Sequence, residues 1–339
     1  MKAMVLTAPR TLGLQDVDPP KAAARQVLVR VTNSGVCGTD LKIYDGAIPV
    51  KHPLIMGHEM VGEVVEGAPR EGRVRNGDRV IVDPSLHCGV CVNCRAGQTS
   101  LCRSGGLLGR DSNGGFSEFL VAPLTHVYPL PASVDSAKAP LIQILTTCVH
   151  AHRFVDIFPA QSVVVLGLGV AGQLHVQLAK ARGAHPVIGV TRSAFKRKLA
   201  EQLGADITFS SGAEALDGVL QATNGDGADV IIECTGKLPV ISEAISMVRP
   251  GGSLMLFGIS TVTEGKLPFY QLYYKELTLY NSRAANGEDF PPAIDMVAKG
   301  MVKLDPLVTH QLPLADLEKA IRLLDADEDA RMKIILHHD

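Results

Sequence analysis

Four cysteines, Cys88, Cys91, Cys94 and Cys102, stand at C-x2-C-x2-C-x7-C spacing. Thiolates this close can complete a tetrahedral shell around Zn²⁺ and pin a lobe that has little core of its own. Disulfides would suit a secreted chain, but the opening MKAMVLTAPR has no long apolar run behind it and does not read as a signal peptide. A ferredoxin-type iron–sulfur run ends C-x3-C-P, whereas here the last gap is seven residues and Arg103 follows. A nucleic-acid-binding zinc ribbon would call for basic excess, and 33 basic residues are balanced by 35 acidic ones. The spacing therefore predicts a structural zinc lobe over residues 84–105.

A second metal cluster is written upstream. Cys37-Gly38-Thr39-Asp40 precedes Gly57-His58-Glu59. Thiolate, imidazole and carboxylate are all good zinc donors, and a catalytic site uses three with one position left open. Such a site polarises a carbonyl or lowers the pKa of an alcohol. Thr39 is placed to pass a proton outward, and Asp40 to orient His58 from behind. Singly, Cys37 reads as a buried thiol, His58 as a core imidazole and Glu59 as a solvated carboxylate; together they read as a catalytic centre.

The third constellation binds a nucleotide. Gly167-Leu168-Gly169-Val170-Ala171-Gly172 follows the apolar run Val163–Leu166 and opens a helix. That context turns a weak G-x-G-x-x-G into a dinucleotide fingerprint. Gly167 permits the turn, Gly169 admits the pyrophosphate, Gly172 lets helix and strand pack, and the helix N-terminus faces the phosphates. An NAD enzyme usually places Asp or Glu about 20 residues on, against the ribose 2′-hydroxyl. Here the stretch is Thr191-Arg192-Ser193, with Lys196 close behind and no acid adjacent. Arg192 can bind a 2′-phosphate, so NADP(H) is expected over NAD(H).

The elements that must position these groups fall into three parts. Residues up to about 145 are β-rich, with strands expected at Met1–Leu6, Gln26–Thr32, Met60–Val65, Arg79–Val82 and Phe116–Ala122, separated by turns such as Asp45-Gly46 and Asn76-Gly77-Asp78. The middle alternates strands (Val163–Leu168, Pro186–Val190, Asp206–Phe209, Asp229–Cys234, Ser253–Phe257, Leu277–Tyr280) with helices, which is the pattern of a doubly wound parallel sheet. From about Ala284 the chain returns to mixed structure, with a helix near Leu314–Leu324 and a final strand at Lys333–Leu336. At 339 residues two domains are expected. A hydrophobic content of 46% fills their cores, and 20% charged residues argue against disorder. No apolar run reaches membrane-spanning length. Cys148 and Cys234 read as buried, inert thiols, and seven cysteines without a secretory signal suggest the cytoplasm.

The chain resembles the zinc-containing medium-chain alcohol dehydrogenases over nearly its whole length. The resemblance rests on Cys37-Gly-Thr-Asp40, Gly57-His-Glu59, the four-cysteine lobe, Gly167 through Gly172, and Leu304-Asp-Pro-Leu-Val-Thr-His310. It implies an α/β protein: a GroES-like catalytic domain from 1–145 and 284–339, around a Rossmann domain at 146–283, with the nicotinamide facing the catalytic zinc. It implies catalytic and structural zinc, a small alcohol or carbonyl substrate, and a homodimer or homotetramer with no nucleic-acid or membrane partner. Thr191-Arg-Ser193 looks like the NADP-preferring branch, Arg283 and Lys333 are candidate cofactor contacts, and Tyr44 is a candidate pocket residue. A surface salt bridge is the plainer role for Lys333. Similar enzymes often carry Cys, Asp or Glu where this chain has Gln143. Either Gln143 is a weak third ligand, or Glu59 is the ligand and Gln143 faces the metal; the second is preferred. The rivals are a polyol or amino-alcohol dehydrogenase using NAD(H) and an NADP(H)-binding protein that has lost its catalytic zinc. A zinc-free quinone reductase would lack Cys37, His58 and the cysteine lobe.

Overall fold

The computed structural model describes residues 1–326 and 330–338. The chain forms two compact units: Met1–Thr146 with Ala284–Gly300 and the residues from Leu304 onward, and Thr147–Arg283 with Met301–Lys303.

The first unit is organised around one long strand, Gln26–Val36. Its alternation buries Val27, Val29 and Val31 on one face. It pairs antiparallel with Glu59–Glu66 along one edge; on the other, its first half meets Phe119–Pro123 and its second half Lys333–His337. Arg79–Val82 and Val127–Pro129 extend the sheet one way, and Val308–Pro313, parallel to Lys333–His337, the other. The C-terminal strand thus enters the sheet beside the segment that leads into Cys37. A three-stranded sheet of Thr11–Asp16, Lys2–Ala8 and Leu54–Ile55 covers a second core with the helix Leu317–Asp325.

The second unit is a six-stranded, all-parallel sheet in the order Ile207–Phe209, Val187–Val190, Val163–Leu166, Ala228–Glu233, Val248–Leu256, Thr278–Asn281. Helices pack on both faces, so Val163–Leu166 is buried throughout. Burying each of those four side chains contributes roughly 2 kcal/mol. The strand order reverses between Val163–Leu166 and Ala228–Glu233, the switch point at which such sheets bind ligands.

The expected α/β class, with a β-rich domain and a doubly wound sheet, is the observed one. Particular elements differ. The strand expected at Phe116–Ala122 begins only at Phe119, because Phe116 turns inward onto Gly57: a Cβ there would lie 2.7 Å from the ring. The tail also contains a helix, Phe290–Ala298, that the reading passed over. Its prolines, Pro291 and Pro292, sit in the first turn, where a missing N–H costs nothing.

Acid sensitivity follows from the core of the second unit. His152 and His175 stack there, with Nε2 of the first 3.0 Å from Nδ1 of the second. Burial holds His175 down to about 3. Burial, then His175 and Arg182, hold His152 well below the ordinary value of 6.5. In the first unit, burial and His87 bring His126 to about 4. All three are neutral when folded and take protons below about pH 6.5 once unfolded, so stability falls as pH drops, by up to about 1.4 kcal/mol per pH unit for each. Urea midpoints are expected to drop steeply between pH 7 and 5, and less steeply in His175→Leu. Midpoints that do not move over that range contradict the assignment.

Candidate active site and zinc lobe

Cys37 sits where the strand Gln26–Val36 ends and the short helix Gly38–Tyr44 begins. Asp40, fully buried in the first turn, accepts a hydrogen bond from the Cys37 backbone N–H at 2.8 Å, and its other oxygen lies 3.3 Å from His58 Nδ1. One carboxylate therefore fixes both the backbone of the thiol and the ring of the imidazole, leaving Nε2 as the ligand nitrogen. Thr39 is half-buried on the same helix.

Ligand atoms of Cys37, His58 and Glu59 all lie within 4.8 Å of one another. Glu59 is buried, not solvated, and forms an ion pair with Lys333. Lys333 is likewise buried, which corrects the expectation of a surface salt bridge. The reason lies in the sheet. Glu59 stands opposite Gly35, Gly35 opposite Ile335, and Lys333 lies two residues from Ile335, so all point to one face. Gly35 makes the space: a Cβ there would fall 2.1 Å from Glu59 Oε2 and 2.9 Å from Lys333 Cε. Burial alone would lower the Lys333 pKa, but Glu59, then Cys37, raise it above the usual value. Burial likewise opposes a charge on His58, and Asp40 and Cys37 override it, pushing His58 well above its ordinary value.

The donor set fits a divalent cation. Glu59 Oε1 accepts no hydrogen bond among the described residues, and thiol, imidazole and carboxylate converge from three separate backbone positions. Gln143 lies half-buried on the helix Leu141–Ala151, its backbone carbonyl accepting from the Thr146 hydroxyl at 2.6 Å. Tyr44 packs on the core of the first unit, with its hydroxyl 3.4 Å from Glu318.

The second cluster is equally compact. The sulfurs of Cys88, Cys91, Cys94 and Cys102 lie within 4.8 Å of one another, with Cys91 and Cys94 at 3.5 Å and two further pairs at 4.0 Å. All are free thiols. A tetrahedral zinc with 2.3 Å bonds separates its sulfurs by about 3.8 Å, so the cluster has the size of a ZnS4 site. Asn286 ties the lobe to the later chain, accepting from the Ser100 backbone N–H at 2.9 Å and the Thr99 hydroxyl at 3.1 Å.

In the second unit, Gly167 (φ +93°) makes the turn after its strand, and a Cβ on Gly172 would fall 2.0 Å from the Gly167 carbonyl oxygen. Gly169 is different. A Cβ there would meet nothing within 4 Å, so packing does not require glycine, and the space above the first turn of Val170–Ala181 is open, as a phosphate at a helix N-terminus would need. Leu168 is buried beneath it. Gln173, which the sequence reading missed, is fully buried and donates to the Leu168 and Lys196 carbonyls, joining this turn to the next.

At the end of Val187–Val190, the Ser193 hydroxyl accepts from the Lys196 N–H at 3.1 Å, capping the helix Ala194–Gln202. Arg197 Nη1 donates to the carbonyls of Thr191 and Arg192. Arg197 therefore braces the turn from behind, while the Arg192 side chain is exposed. Arg283 is exposed at the end of this unit.

The family model of the alcohol dehydrogenase GroES-like domain matches residues 23–132, and that of the zinc-binding dehydrogenases matches 170–299. The chain is 31% identical to a sorbitol dehydrogenase of Halalkalibacterium halodurans, over 99% of both chains. It is 34% identical to an L-threonine 3-dehydrogenase of Pyrococcus abyssi, over 95% of this chain and 94% of that one. A zinc-binding dehydrogenase from Sinorhizobium meliloti 1021, solved bound to NADP, superposes with a TM-score of 0.92 at 30% identity, over 99% of this chain and 98% of that one. The chain belongs to the zinc-containing medium-chain alcohol dehydrogenase family, and is an oxidoreductase of its alcohol and polyol class.

Proposed function

We propose that the protein moves a hydride between an alcohol, or the matching aldehyde or ketone, and NADP(H), at a zinc held by Cys37, His58 and Glu59. The observation that carries this reading is the buried convergence of those three donors, with Asp40 behind two of them. When bound, zinc supplies Lewis-acid polarisation of a substrate oxygen, and the dinucleotide supplies or accepts the hydride. The chain does the rest. Asp40 fixes the His58 ring, Lys333 holds Glu59 in place, and the Thr39 hydroxyl carries the substrate hydroxyl proton toward solvent. Gln143 is a neutral neighbour and at most a weak donor. The four cysteines of the lobe, Cys88, Cys91, Cys94 and Cys102, hold a structural zinc.

Gly167, Leu168, Gly169, Val170, Ala171 and Gly172 receive the pyrophosphate; Thr191, Arg192, Ser193 and Lys196 receive a 2′-phosphate, and Arg283 is a further cofactor contact. The missing carboxylate beside Arg192 supports NADP(H). Steady-state rates with an alcohol panel are expected to show at least a tenfold lower KM for NADP⁺ than for NAD⁺, on the order of one charge-assisted contact. A clear NAD⁺ preference overturns that choice.

The likeness to sorbitol and threonine dehydrogenases supports a second reading, a polyol or amino-alcohol dehydrogenase using NAD(H). Including sorbitol and L-threonine in the panel separates the two. A catalytically degenerate NADP(H)-binding protein would instead hold about one zinc per chain and turn over none of them.

Seven free cysteines support a reducing, cytoplasmic setting. Among the described residues no helix is long and apolar enough to cross a membrane. A homodimer or homotetramer is supported by the edge strand Thr278–Asn281, whose neighbouring helix Phe269–Tyr274 exposes Tyr270, Tyr273 and Tyr274.

A further inference from the structure

Glu233 ends the strand Ala228–Glu233 and is completely buried. It stands level with Leu166, the last residue before Gly167, across the switch point of the parallel sheet. Among the described residues it forms no ion pair with a Lys, Arg or His. Its charge is met by the loop that follows it. Oε1 accepts from the Thr235 backbone N–H at 2.6 Å, and from the Thr235 hydroxyl; the Gly236 N–H reaches both oxygens, at 3.1 and 3.0 Å. A buried carboxylate is costly to keep without a cation, and a side chain that only filled space here would be apolar. What the carboxylate provides is a fixed shape for residues 235–236.

That shape matters because of what the loop touches. The Thr235 methyl would lie 2.6 Å from a Cβ on Gly167, so the loop forms one wall of the fingerprint turn. Gly236 (φ +68°) is pressed against the next strand end: a Cβ on it would fall 2.5 Å from the Ile259 carbonyl oxygen, and one on Gly258 would fall 2.1 Å from the Gly236 nitrogen. Three strand ends are thus locked together at one edge of the sheet, beside the open space at Gly169. The Thr235 hydroxyl is already used, donating to Glu233 and accepting from the Lys237 N–H at 3.1 Å, so the effect on a ligand is indirect.

We propose that Glu233 is a positioning residue for the dinucleotide: it holds the Thr235–Gly236 loop against the Gly167 turn and so pre-forms the phosphate cradle. This rests on the reading of the second unit as an NADP(H) site. The test measures NADPH binding to the zinc-loaded full chain by fluorescence titration, with melting temperature, KM and kcat taken alongside. Glu233→Gln sets an amide N–H₂ against the Gly236 N–H; its NADPH Kd is expected to rise about tenfold, the size of one lost charge-assisted bond. Its kcat at saturating dinucleotide is expected to stay within about twofold, a split that a general loss of stability does not produce. Thr235→Val deletes only the hydroxyl, carries the test if Glu233→Gln does not fold, and is expected to raise Kd about threefold. A folded Glu233→Gln, or failing that Thr235→Val, that binds NADPH as tightly as wild type overturns this inference alone. Wild-type protein that binds neither NADPH nor NADH overturns the dinucleotide reading, and this inference with it.

Discussion

Cys37→Ser is expected to leave roughly one zinc per chain where the wild type holds about two, and to slow alcohol turnover by about 10³-fold. The magnitude follows from the several kcal/mol of charge stabilisation a catalytic metal supplies, at about 1.4 kcal/mol per decade of rate. The substitution removes one donor of three but keeps the bond from the residue-37 backbone N–H to Asp40 and does not touch the four-cysteine lobe. The folded protein should therefore melt within a few degrees of wild type. Metal analysis, steady-state rates and a melting curve on one preparation check this. A variant that keeps both zincs, or turns over within about tenfold of wild type, takes Cys37 out of the site.

Lys333→Met tests the ion pair. With the metal removed from both proteins, the variant leaves Glu59 as a buried carboxylate without its cation, and a loss of about 3 kcal/mol or more is expected. Urea denaturation measures it. The double variant Glu59→Gln/Lys333→Met removes both charges and is expected to recover much of the loss, since the cost lies in the uncompensated charge and not in the missing contact. Gly35→Ala should be damaging for a steric reason, because its methyl would fall 2.1 Å from Glu59 Oε2 and 2.9 Å from Lys333 Cε. A Lys333→Met loss below about 1 kcal/mol, the size of an exposed pair, contradicts a buried structural role.

Groups carried on one local segment were legible in the sequence. The cysteine lobe, the glycine turn after an apolar strand, and the unit Cys37–Asp40 each depend on neighbours a few residues apart, and spacing alone exposes them. Arg192 was equally visible as a basic residue where an acid is usual, but Ser193 was read only as a neighbouring hydroxyl and its capping of the helix Ala194–Gln202 emerged from the structure. The Glu59–Lys333 pair was not, because its partners are separated by most of the chain and meet only when the last strand enters beside Gln26–Val36. A lysine in the run Lys333–Leu336 reads as a solvent-facing position until the strand on its other side is known. Gly35 carries no turn signal, and its purpose is the space it leaves. Glu233 closes an apolar run and reads as a strand end, since nothing local reveals that its charge is spent on the two residues after Cys234. The helix Phe290–Ala298 was hidden by prolines that usually stop helices but here begin one.

Turnover is expected to need a cation held by Cys37, His58 and Glu59. The most direct measurement follows zinc per chain and NADP⁺-linked alcohol oxidation together while a chelator strips the protein. Activity is expected to vanish as the first of about two zincs leaves, and to return when zinc is restored. Full activity in protein shown by elemental analysis to hold no metal at these three residues would contradict the account.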